Sequence, residues 1–171
     1  MKTKNKTSLK DLNSFRVDCF SSNFNIINNE KEIIDFLVSN KEPDSIILGG
    51  GTNTLFKNNI DKPILKIQIK GIEVINESNN SILISVGAGE VWDDLVNWCL
   101  TNNYGGLENL SLIPGNVGSA PIQNIGAYGV ELKDVFKSCR AISIETGSLR
   151  IFKNIHQPIF GIQLLPHLFF S

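Results

Sequence analysis

Two glycine-rich runs constrain this chain more than any other feature. The first is Gly49-Gly50-Gly51-Thr52-Asn53-Thr54-Leu55-Phe56, and the second is Pro114-Gly115-Asn116-Val117-Gly118-Ser119-Ala120-Pro121-Ile122-Gln123-Asn124-Ile125-Gly126-Ala127-Tyr128-Gly129. Glycine admits positive φ and close approach of other groups, so both runs set bare backbone N–H groups and small polar side chains where a phosphorylated cofactor can lie. The first run has two readings. After the apolar strand Ser45-Ile46-Ile47-Leu48, three glycines mark either a tight turn or an anion nest. In the nest, the N–H groups of Gly50, Gly51, Thr52 and Asn53 would turn toward a pyrophosphate, with the Thr52 hydroxyl as an extra donor. The common nucleotide loops are excluded, because there is no Gly-Lys-Ser/Thr and no GxGxxG leading into a clear helix.

The second run is uncharged and lacks periodicity, yet with Leu112 and Ile113 before it and Val117, Ile122 and Ile125 within it, it is too apolar for an ordinary exposed loop. A segment lining a pocket accounts for both properties. Gly115, Gly118, Gly126 and Gly129 would let a flat ligand approach, while Ser119, Gln123 and Asn124 could bond to its heteroatoms.

At 171 residues the chain is sized for one domain, bilobed at most. Its 16 basic and 17 acidic residues leave a net charge of -1 with no concentrated basic block, which argues against a nucleic-acid surface. The basic start, Met1 to Ser8, is followed by no apolar stretch of the kind a signal peptide or membrane span needs, so the expectation is a cytoplasmic protein without membrane contact. Cys19, Cys99 and Cys139 form no CxxC pair and read as small apolar residues in a reducing compartment. His156 and His167 have no acidic or cysteine partners at ligand spacing, so no metal site is expected.

Periodicity places the motifs. Leu12 to Asn25 reads as a short strand and loop, and Asn29 with Glu32 caps a helix ending near Ser39. Ile64 to Ile69 alternates as a strand, with Leu65, Ile67 and Ile69 on one face and Lys66 and Gln68 on the other. A hairpin follows from Ile72 to Val86, turning at Glu77 to Ser81. Next comes a helix over Val91 to Thr101, with Glu90 suited to its positive end, and later a hairpin of Cys139–Ile144 with Leu149–Phe152. The pattern is α+β, without internal repeats.

Taken with Gly106-Leu107-Glu108-Asn109-Leu110 and the continuation Val130-Glu131-Leu132, the two runs resemble the FAD-binding region of the UDP-N-acetylenolpyruvoylglucosamine reductase family, also called UDP-N-acetylmuramate dehydrogenases. The second motif is long and specific, whereas the first is shared with FAD domains of the vanillyl-alcohol-oxidase type. Asn13-Ser14-Phe15 resembles the start of the family, so the likeness spans about residues 9 to 153. The resemblance implies an α+β, two-lobed FAD-binding domain of that type, with lobes over 9–67 and 68–153 and FAD between them. Gly49, Gly50, Gly51, Thr52 and Asn53 would hold the pyrophosphate. Pro114, Gly115, Gly118, Ser119, Gln123, Asn124, Gly126 and Ala127 would surround the flavin and ribityl chain. It further implies a monomer that uses NADPH to reduce FAD and then UDP-N-acetylglucosamine enolpyruvate to UDP-N-acetylmuramate, a peptidoglycan precursor.

The pattern breaks near the C-terminus. The family carries a Gly-Tyr-Arg-x-Ser-x-Phe-Lys stretch whose arginine steadies the enolate-like intermediate, but here Phe160-Gly161 is followed by Ile162-Gln163-Leu164. Residues 154–171 therefore read as an aberrant tail, from a shifted frame or an interrupted gene. The sheet strand expected beyond the arginine stretch is read as missing, leaving the domain incomplete at its C-terminal end. The serine proton donor and late glutamate belong to a substrate domain that the chain lacks, so no catalytic residue carries over, and activity of the chain alone is doubtful. Two other readings stay open: an inactive FAD-binding remnant, and another FAD-dependent oxidoreductase of the same domain type, such as an oxidase.

Overall fold

The computed structural model describes residues 2–4, 6–39, 44–153 and 163–170. In the first lobe, β1 (Lys2–Lys4), β2 (Phe24–Ile27), β3 (Ile46–Leu48) and β4 (Ile64–Ile67) form a sheet in the order β1-β2-β4-β3. β4 runs parallel to both β2 and β3, while β1 is antiparallel to β2. Helix α1 (Glu30–Ser39) makes the crossover between β2 and β3. Its start is fixed as the sequence suggests: Asn29 Oδ1 accepts from the Glu32 N–H at 3.0 Å, and the Glu32 carboxylate accepts from the Asn28 N–H at 2.7 Å. One face of the sheet packs Leu48, Phe24 and Ile64 against Leu9, Cys19 and Phe56.

The second lobe is an antiparallel sheet. Its strands are β5 (Ile72–Glu77), β6 (Ile82–Gly87), β7 (Phe136–Ser143), β8 (Leu149–Lys153) and β9 (Gln163–Phe170), in the order β8-β7-β9-β6-β5. Helix α2 (Trp92–Thr101) buries Trp92, Leu95, Val96 and Cys99 in a core with Ile84, Val86, Cys139 and Leu168. These are the i, i+3, i+4, i+7 positions of an amphipathic helix. Trp92 also donates Nε1–H to the Leu110 carbonyl at 2.8 Å, which ties the helix to the segment leading into the second glycine run.

β9 corrects the expectation of a missing strand. It lies between β7 and β6, with Leu168 opposite both Cys139 and Val86, and Phe170 opposite both Phe136 and Ile84. Leu168 and Phe170 alternate into the core, and Phe170 meets Trp92 edge-on at 5.9 Å and Phe136 at 6.2 Å. An apolar C-terminal sequence with the right period supplies the strand, whatever its likeness to relatives. Residues 154–162, where the motif departs, lie outside the described residues.

The lobes share a core. Ile142 in β7 and Ile144 just beyond its end pack with Ile27, Ile33, Phe36, Leu65 and Ile67 of the first lobe. Arg140 reaches across to Glu30 at the start of α1, 2.7 Å away. The linking segment is clamped from both sides: the Gln68 N–H donates to the Ile27 carbonyl (2.8 Å), the Gly89 N–H to Ile69 (2.8 Å), and the Gly87 N–H to Gly71 (2.9 Å). A Cβ on Gly89 would stand 2.7 Å from the Gln68 Cα, so this crossing requires glycine.

Candidate functional site

The first glycine run leaves the C-terminal end of β3, the end of a parallel sheet at which ligands characteristically bind. Gly51 has φ +71, and its bare Cα faces Leu12; an added Cβ would lie 1.9 Å from the Leu12 carbonyl oxygen. The Gly51 carbonyl accepts from the Ser14 N–H at 3.2 Å. Residues 12–14 thereby form the back wall of the turn. Asn13 stiffens that wall from inside, donating Nδ2–H to Leu9 (2.7 Å) and Val17 (3.3 Å) and accepting from the Val17 N–H (3.1 Å). Among the described residues, the N–H groups of Gly50, Gly51, Thr52 and Asn53 meet no backbone or side-chain acceptor. Four consecutive unspent donors in a turn with one positive φ can cradle an anion.

The second run is pinned to the end of β6. The Trp92 N–H donates to Gly115 (3.0 Å), the Val117 N–H to Glu90 (2.9 Å) and the Gly118 N–H to Ala88 (3.0 Å). A Cβ on Gly118 would meet the Ala88 Cβ at 2.6 Å, so that glycine serves close packing. The chain then makes a single helical turn, Ala120–Gln123, ended by Asn124 in the left-handed conformation at φ 46. A ribbon of Gly126–Ala127 with Val130–Glu131 follows, turning at Tyr128 and Gly129.

The two runs meet. An ideal Cβ on Gly50 would fall 2.7 Å from Asn116 Oδ1, and one on Gly115 would fall 3.5 Å from the Thr52 Oγ1 and 3.3 Å from the Ser119 Oγ. Asn116 is buried and donates Nδ2–H to the Gly89 carbonyl at 2.7 Å, so it anchors the junction of both runs with the β6 end. Of the residues singled out from sequence, Gly49, Gly50, Thr52, Gly115 and Ser119 gather at this junction, with Gly51 behind them. Gln123 and Asn124 sit exposed at the end of the short helical turn, and Gly126 and Ala127 in the ribbon beyond it. Pro114 is exposed beside Leu112, which holds φ +62 and is 82% exposed; Asp93 Oδ1 fixes that turn by accepting from the Leu112 N–H at 2.6 Å and the Ser111 hydroxyl at 3.1 Å.

Charged groups near the runs have structural partners. Glu90, expected at the positive end of α2, instead accepts from the Gly71 N–H (2.6 Å) and pairs with Lys70 (3.0 Å), because the tight crossing at residues 69–71 sits within its reach. Glu108 accepts from the Gly106 N–H at 2.5 Å, and hydrogen bonds from its own and neighbouring backbone N–H groups hold its carboxyl below the usual range. Glu131 caps the turn over Leu132–Val135 in a reciprocal pair with Asp134. Sequence reasoning missed Lys66, which it assigned to the polar face of a strand. Its ammonium donates to the Gly49 carbonyl, and desolvation followed by repulsion from Lys70 pushes its pKa down.

Two lobes joined through a shared core, with two glycine runs meeting at their seam, make up this α+β fold. The chain belongs to the FAD binding domain family, whose model matches residues 27–153. It is 45% identical over 154 residues to a UDP-N-acetylenolpyruvoylglucosamine reductase of Flavobacterium johnsoniae, a match covering 90% of this chain and 46% of that protein. To the reductase of the same name from Amoebophilus asiaticus it is 43% identical over 147 residues, 84% of this chain and 43% of the relative. The chain thus spans about half the length of the curated relatives it matches. The fold is similar to the crystal structure of UDP-N-acetylenolpyruvylglucosamine reductase from Thermus caldophilus, with TM-score 0.77 and 18% identity over 100% of this chain and 62% of that one. It is also similar to a vanillyl-alcohol-oxidase-type flavoprotein from Myceliophthora thermophila, with TM-score 0.63 and 9% identity over 89% of this chain and 32% of that one. Among the described residues, no helix is long and apolar enough to cross a membrane.

Proposed function

We propose that this chain provides the FAD-binding part of a cytoplasmic, NADPH-dependent reductase, acting as a monomer, that converts UDP-N-acetylglucosamine enolpyruvate to UDP-N-acetylmuramate. The observation that carries the reading is the meeting of the two glycine runs, with the donors of Gly50 to Asn53 unspent beside the pinned second run. Gly49, Gly50, Gly51, Thr52 and Asn53 would bind the cofactor's diphosphate through backbone N–H groups and the Thr52 hydroxyl. Pro114, Gly115, Gly118, Ser119, Gln123, Asn124, Gly126 and Ala127 would orient the flavin and its ribityl chain, with the glycines allowing close approach. When bound there, FAD would supply the hydride-transfer chemistry that links NADPH to the enolpyruvyl double bond.

The site residues are donors and shape-setting backbone, and no acid or base among them is placed to deliver a proton. The chain by itself is therefore proposed to position the cofactor while turning over little or no substrate, since loss of positioned proton donors and charge-stabilising groups commonly costs about 10² or more each. Anaerobic reduction of the FAD-loaded chain by NADPH, followed by addition of the enolpyruvyl UDP-sugar, tests this. The expected result is flavin reduction with slow reoxidation by the sugar. Rapid substrate-dependent reoxidation would overturn the inactivity of the isolated chain, and reoxidation by oxygen alone, with no response to the sugar even in a longer chain, would favour an oxidase.

A further inference from the structure

Lys66 sits in β4 opposite Leu48 of β3 and Ile26 of β2. Side chains alternate along a strand, so Lys66 shares the face of Ile64, which is fully buried with Leu48 in the first-lobe core. Its stem therefore lies over apolar surface, and its head emerges where β3 becomes the first glycine run. There the ammonium donates to the Gly49 carbonyl, leaving two of its three N–H donors for other acceptors. No carboxylate among the described residues forms an ion pair with it, and the charge that acts on it is the like charge of Lys70. Among the described residues this half-buried ammonium meets a neutral carbonyl and no carboxylate, and burial, followed by the like charge of Lys70, destabilises its charged form. An anion bound at the turn would offset that cost, and the adjacent donors of Gly50 to Asn53 point to the same ligand charge.

We infer that Lys66 is the cationic arm of the first glycine run, fixing the Gly49 carbonyl from beneath and contributing its charge to recognition of the cofactor's diphosphate. The inference rests on the proposed assignment of that run to FAD. It makes Lys66 a specificity residue that favours a dinucleotide over an uncharged flavin, and it differs from a purely structural role, in which the lysine would only hold the turn.

The test measures affinities of the 171-residue chain for FAD and for riboflavin by quenching of flavin fluorescence, for the wild type, Lys66→Met and Lys66→Arg, alongside the urea midpoint of each without ligand. Loss of one charge-assisted contact predicts FAD binding about ten- to a hundredfold weaker in Lys66→Met, with riboflavin affinity unchanged. Lys66→Arg is expected to recover part of the FAD affinity. In the wild type, FAD affinity should fall with added KCl while riboflavin affinity does not, a readout that holds even where Lys66→Met folds poorly. Unchanged FAD affinity in Lys66→Met, or equal loss of FAD and riboflavin affinity, would overturn the inference while leaving the FAD site standing. A wild-type chain that binds no FAD would overturn both.

Discussion

Gly51→Ala is the substitution whose cost the geometry states most directly. At φ +71 an alanine pays the left-handed backbone penalty, about 1–2 kcal/mol. Its Cβ would also stand 1.9 Å from the Leu12 carbonyl oxygen and 2.8 Å from the carbonyl carbon, both backbone atoms that cannot swing aside. Moving Leu12 away breaks the hydrogen bond from Ser14 to Gly51, a loss of about 1 kcal/mol, and disturbs the Asn13 bonds that hold the wall. The two contributions together come to about 2–3 kcal/mol. Two controls separate the causes. Gly147 has φ +68 with nothing within 4 Å of an added Cβ, so Gly147→Ala carries only the backbone part, about 1–2 kcal/mol. Gly49 has ordinary φ and its nearest neighbour, Asn116 Cβ, is at 3.9 Å, so Gly49→Ala should stay within about 0.5 kcal/mol of wild type. Urea denaturation of the three variants should rank them in that order. A Gly51→Ala protein no less stable than Gly147→Ala would refute the close approach of residues 12–14 to the first glycine run.

Phe170→Ala, which removes the ring packed against Trp92 and Phe136 at the end of β9, should lower stability by about 3–5 kcal/mol in the same assay; a negligible change would mean that the C-terminal strand is not part of the second-lobe sheet. Asn116→Ala leaves the Gly89 carbonyl without its buried donor and should cost about 1–3 kcal/mol, with the loss seen in both stability and FAD affinity. Burial pushes the Cys99 thiol up to about 11 and the Cys139 thiol to about 12, from an ordinary value of 9.0. Because both folded values lie above the unfolded one, their contribution to stability is full below pH 9.0 and is lost as pH rises toward 11 and 12. A Cys99→Ala/Cys139→Ala double variant should therefore show a shallower alkaline decline in urea midpoint than wild type, and an identical decline would contradict the burial of both thiols.

Much of the architecture was readable because its signals are local. Asn29 and Glu32 mark the start of α1, the alternation of Ile72 to Val86 gives the β5–β6 hairpin, and Trp92, Leu95, Val96 and Cys99 give the buried face of α2. The meeting of the two glycine runs was legible only through a long, specific motif, since no periodicity links Gly50 to Asn116. Three features escaped because each depends on contacts distant in sequence. β9 pairs with residues 20 to 86 positions earlier, and its apolar run alone does not distinguish a strand from a stray tail. Lys66 occupies the polar phase of an alternating strand, a pattern that usually means solvent, and only the fold brings Gly49 over it. Glu90 was assigned to a helix dipole, a weak and local effect, whereas a tight crossing at Gly71 offered it a direct N–H donor.

The central claim is that Gly49 to Asn53 hold the diphosphate of FAD, and phosphorus NMR of FAD titrated with the chain tests it at the atoms concerned. The account predicts that both diphosphate resonances shift and broaden on binding at one FAD per chain, and that Gly51→Ala weakens this response far more than Gly147→Ala does. Diphosphate resonances that keep their free positions while the flavin fluorescence is quenched would contradict it, because FAD would then be held without the first glycine run.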